Sequence, residues 1–144
     1  MKRTLVKQFI GAIVLGTSLA LAGAGVNAAE TEAKVTIPAT PNGIWQAIDK
    51  HIATLNELTA QNKLDTVHEH AYAVRDLVRA LPSRSQGLSA EVLTKIQANA
   101  RFVDTLADRL DATGDAKDKA GTESNLRKLE AVIKQTRAQY PNAK

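Results

Sequence analysis

Three histidines and a set of aspartates are the residues in this chain whose types could hold a metal, and their spacing decides how. His68 and His70 stand in the string HEH, close behind Asp65. On a strand the two imidazoles would share a face. On a helix, residues two apart point about 200° from each other, so a regular helix cannot bring both to one ion. A site in this stretch must therefore combine one of His68 and His70 with Asp65 or Glu69, or bridge two molecules. Asp65 lies three residues before His68, a spacing that also suits a local capping pair at a helix start.

His51 sits between Ile44 and Leu58 in a helical period, and His70 sits about two turns before Leu77. Both belong on the edge of a contact between consecutive helices. For a turn centred at Lys63, their axial levels differ by roughly 7 Å at a rise of 1.5 Å per residue. That mismatch predicts two partly buried, hydrogen-bonded imidazoles rather than a shared metal, with Asn99 as a further polar partner.

The donor set limits the metal. The chain has no Cys, and its one Met is Met1. Imidazole and carboxylate suit copper(II), zinc or nickel and disfavour copper(I). The expected binding is weak, micromolar or poorer, and lost as imidazole protonates near pH 6.5. Haem attachment through C-x-x-C-H is ruled out without Cys, and a Met axial ligand is ruled out with Met1 removed. A carboxylate-bridged di-iron centre wants two Glu-x-x-His motifs, and the chain offers a single Asp-x-x-His. Asp111, Asp115 and Asp118 suggest a calcium loop but miss the EF-hand pattern, with Ala116 at its glycine position and Thr122 at its final glutamate. They read as a solvated charged loop. Ser83, Ser85, Ser89 and Ser124 fall at expected caps and loops with no base in reach, and no glycine-rich phosphate loop is present, so the chain does not read as an enzyme.

Four helices must position these residues. Trp45, Ile48, Ile52 and Leu55 are spaced 3, 4, 3 in the first, from about Pro41 to Asn62, with Thr40 as cap and Pro41 at the first position. Leu64, Val67, Ala71, Val74, Val78 and Leu81 are spaced 3, 4, 3, 4, 3 in the second, from about Thr66, capped by Asp65 and stopped by Pro82. Leu93, Ile96, Ala100, Val103, Ala107 and Leu110 repeat that spacing in the third, from Ser89 to a stop at Gly114. After a charged connection over 111–121, Thr122 caps the fourth, in which Leu126, Leu129, Ile133, Thr136 and Tyr140 make the stripe and Pro141 the end. Four such stripes predict an all-α fold, an antiparallel up-down-up-down four-helix bundle over 40–141.

Ahead of the bundle, 29–39 reads as a flexible leader and 1–28 as a cleavable signal peptide. Lys2, Arg3 and Lys7 precede an apolar run from Phe9 to about Ala22, and Val26-Asn27-Ala28 supplies the small residues of a cleavage site. The run is shorter than the roughly 20 residues of a membrane span, so the mature chain is expected to start near Ala29, in the periplasm, with no stable membrane insertion. Cleavage removes three of the 19 basic residues and none of the 15 acidic ones, leaving 16 against 15. A net charge of +1 withdraws the basic character that would point to nucleic acid.

Three stretches, GIWQAID at 43–49, VHEHAYAVRDLVRALP at 67–82 and LADRLDATGDAKDKAGTESNLRKLE at 106–130, resemble small uncharacterised exported helical-bundle proteins encoded beside heavy-metal efflux systems. The resemblance implies a periplasmic accessory role in metal homeostasis, through weak divalent-metal binding or through an envelope or metal-efflux partner. His68 and His70 match its His-containing stretch and inherit the metal role, with Asp65 beside them. The alternative is a structural or adaptor protein of the cell envelope without a metal.

Overall fold

A computed structural model describes residues 34–140. The signal-peptide expectation falls on residues outside that range. Within it the chain forms α1 (Pro41–Ala60), a short 3-10 turn η1 (Leu64–Thr66), α2 (Val67–Arg84), α3 (Ala90–Asp115) and α4 (Lys119–Arg137). Each helix packs on the next in an up-down antiparallel order, and α4 closes on α1 through a thinner contact.

The apolar stripes face one another as their period requires. Ile48, Leu55, Leu64, Val67, Val74, Leu77, Val78, Leu81, Ile96, Val103, Leu106, Leu110 and Leu129 are fully buried. Trp45 closes the α1–α4 seam, meeting Tyr140 edge to face at 5.4 Å between ring centroids, with the Arg137 guanidinium over its ring at 4.7 Å. Arg137 also pairs with Asp49 on α1.

The helix ends are where the structure departs from the sequence reading. Thr40 caps α1 as expected, its hydroxyl accepting from the Gly43 amide at 3.1 Å, and Ser89 caps α3 by accepting from Val92. α1 ends at Ala60, and two residues on Asn62 takes a left-handed φ of 58° while Lys63 donates to the Leu58 carbonyl and Asn62 to that of Thr59. This double bond is the Schellman arrangement. Asp65 does not cap α2. It lies inside η1, which leads into the helix from Thr66 with no side-chain cap.

Pro82 does not stop α2, which runs on to Arg84. Only the Val78 carbonyl loses its amide partner to the proline, and buried Leu77, Val78 and Leu81 hold the turn against the core. Gly114 does not end α3 either. The helix runs to Asp115 and is closed by Lys117, whose φ is 55°, with Asp118 donating to the Thr113 carbonyl and Lys117 to that of Gly114 in a second Schellman arrangement. The connection to α4 is thereby three residues, 116–118, and the long charged loop over 111–121 does not exist. Asp118, not Thr122, caps α4 by accepting from the Gly121 amide at 2.9 Å. Thr122 is buried in the first turn, its hydroxyl donating to the Asp118 carbonyl.

The described part of the leader is docked on the bundle. Val35 and Ile37, alternating with exposed Lys34 and Thr36, pack against the core. An apolar period of two, typical of extended chain, carries this contact where no helical period exists.

Candidate metal centre

The histidines of the HEH string go to opposite neighbours, as two residues two apart on a helix must. His68 faces α3 and His70 faces α1.

On the α3 side, His68, Asp111 and Asp115 form a group in which one ligand atom from each lies within 4.8 Å of the others. His68 and Asp111 are half-buried and Asp115 is exposed. Asp111 and Asp115 are four apart near the end of α3, so one helical face presents both carboxylates to the first turn of α2. The Tyr72 hydroxyl, one turn beyond His68, donates to Asp111 Oδ2 at 2.9 Å and fixes that carboxylate against α2. An ion about 2.0–2.2 Å from each donor would hold the donors roughly 3–3.5 Å apart. Ligand atoms as far as 4.8 Å apart would have to close by up to roughly 1.3–1.8 Å to hold an ion, which would be open to solvent beside Asp115.

Two of the three residues expected at a metal are therefore elsewhere. Asp65 is exposed and paired with Lys117 Nζ, tying η1 to the turn after α3 rather than to His68. His70 is on the far side of α2. The two aspartates that do meet His68 were readable as a same-face i, i+4 pair, and assigning Gly114 as a helix stop concealed them.

Gly114 also sets the approach of the two elements. It is buried in α3 directly under η1, where a Cβ would come within 2.8 Å of the Leu64 carbonyl oxygen. Only a residue without a side chain lets η1, and with it His68, come down onto the Asp111–Asp115 face.

On the α1 side, His51 Nδ1 and His70 Nδ1 are 2.9 Å apart and the rings are tilted by 47°. The hydrogen-bonded pair is as expected, whereas the axial gap that argued against a close meeting is much reduced. The left-handed residue is Asn62, which moves the turn's centre one residue back from the expected Lys63. The η1 residues climb about 2 Å each instead of 1.5 Å, and together these leave a mismatch of roughly 3 Å. The hydrogen bond runs between the two rings and does not include Asn99. Burial pushes the His51 imidazole below its ordinary range, helped by the charges of His70 and Lys50. Burial also lowers His70, against a smaller upward pull from Glu69. The pair is thus held neutral at pH 7, and one ring donates while the other accepts.

No protein-family model, curated protein or solved structure matches the chain.

Proposed function

We propose that this chain is an exported, non-enzymatic helical bundle that serves metal homeostasis in the periplasm by binding a divalent ion at the α2–α3 end of the bundle. The observation that carries the reading is the convergence of His68 with Asp111 and Asp115. One imidazole and two carboxylates make a borderline donor set, suited to zinc or nickel. The part-exposed position leaves coordination places to water, which suits weak, exchangeable binding. The basic and apolar layout of 1–28 supports export.

Calorimetric titration with zinc, on the parent and on His68→Ala and Asp111→Asn variants, tests it. Zinc heat in the parent that falls at least tenfold in affinity in both variants is the expected result. Zinc affinity and stoichiometry that are unchanged in both variants remove this group from the function.

A further inference from the structure

We propose that the His51–His70 pair is a second, separate metal site, one that takes copper(II) through the two Nδ1 atoms. Two imidazole nitrogens bound at about 2.0–2.1 Å lie roughly 2.9 Å apart when they occupy adjacent corners of a square, and about 3.3 Å apart in a tetrahedron. The observed Nδ1 separation is 2.9 Å. That separation is also the length of the ring-to-ring hydrogen bond, so it brings two imidazole donors within chelating reach without choosing the metal; copper(II) is favoured because it heads the affinity order of divalent ions at nitrogen donors.

Each ring is anchored on a different helix, His51 in the third turn of α1 and His70 in the first turn of α2, so the spacing is set by the α1–α2 packing and not by a mobile loop. Both rings are half-buried. The remaining corners of the square are left to water from the open side.

Protons balance without an outside base. In the neutral pair each ring carries one proton, and one of the two is on Nδ1 in the shared hydrogen bond. Copper(II) entry requires that ring to change tautomer, so that both protons reside on Nε2 and both Nδ1 lone pairs turn to the ion. Each ring swings by about 45° from the line of the hydrogen bond to face a common ion at that corner geometry.

This site does not depend on the His68 group, which lies on the other face of α2. Electron paramagnetic resonance of the purified protein with one equivalent of copper(II) tests the proposal, using the parent and the His51→Gln, His70→Gln and His68→Ala variants. Nitrogen hyperfine structure from two imidazoles is expected in the parent and in His68→Ala. Each of the other two variants should lose that pattern and at least tenfold in copper(II) affinity. A two-imidazole signal that persists in His51→Gln, or a parent spectrum with fewer than two imidazoles, overturns it. Should either glutamine variant fail to fold, substoichiometric copper(II) added to the parent decides the matter by proton NMR. Selective broadening of the His51 and His70 ring protons upholds the site, and broadening confined to His68 refutes it.

Discussion

The Leu64 carbonyl oxygen rests on Gly114, 2.8 Å from where a Cβ would be. This contact joins the turn that begins α2 to the last turn of α3, and it places His68 over Asp111 and Asp115. Replacing Gly114 by Ala should gain about 1 kcal/mol of helix propensity and lose more than that, since the obstructing atom is backbone and overpacking costs roughly 1–3 kcal/mol. Gly114→Ala should therefore unfold at lower denaturant than the parent and bind zinc more weakly. Chemical denaturation and zinc calorimetry on the one variant read both effects.

Lys117 offers the opposite case. Its φ of 55° puts a side chain in a region that costs an L-residue about 1–2 kcal/mol. Lys117→Gly removes that strain and gives up an exposed ion pair with Asp65, worth at most about 1 kcal/mol. The extra freedom of glycine in the unfolded chain offsets part of the gain. A stabilisation of roughly 0.5 kcal/mol is expected, measured as a higher denaturation midpoint with the same m-value. A loss of stability would mean that the Asp65 pair matters more than the strain.

The stripes assign the core, and charges introduced there should show it. Val74 and Ile96 are fully buried on α2 and α3. Val74→Asp or Ile96→Asp leaves an unpaired buried carboxylate, and each should cost about 3–5 kcal/mol. Phe102→Ser on the outer face of α3 should change stability by no more than about 0.5 kcal/mol. Thermal unfolding followed by circular dichroism separates the two classes.

The apolar periods made the four helices legible because each buried position repeats every three or four residues, and burial follows that repeat from Trp45 to Tyr140 except at the start of α3, where Val92 rather than the expected Leu93 packs against the core. The ends were less legible, because Gly114 and Pro82 are ordinary stop signals read one at a time. At Gly114 the demand for a close approach by Leu64 outweighs the tendency of glycine to end a helix. At Lys117 the left-handed residue is one that seldom adopts that conformation, so no local signal marks the true end. The candidate metal group depended on those ends. Asp111 and Asp115 share a face only if α3 runs through Gly114, and His51 reaches His70 only if the turn centres on Asn62. His68 was identifiable from its type, and its partners required the tertiary contact.

The final prediction is a pH dependence set by the two facing imidazoles. In the folded protein burial lowers both His51 and His70, with His70 and Lys50 adding to the effect on His51 and Glu69 opposing it on His70. In the unfolded chain both return to about 6.5. Above that value both states hold the rings neutral and the pair contributes its full stability. As pH falls below it, the unfolded chain takes up protons that the folded pair resists, and stability drops until the folded rings protonate as well. The melting temperature, measured with chelator present to exclude metal, should therefore fall between pH 7 and about 5.5. A His51→Gln, His70→Gln double variant should show a flatter profile over the same window, because amide side chains keep the polar contact without titrating. An equal slope in parent and double variant would assign the loss to other groups and leave the imidazole pair without a part in it.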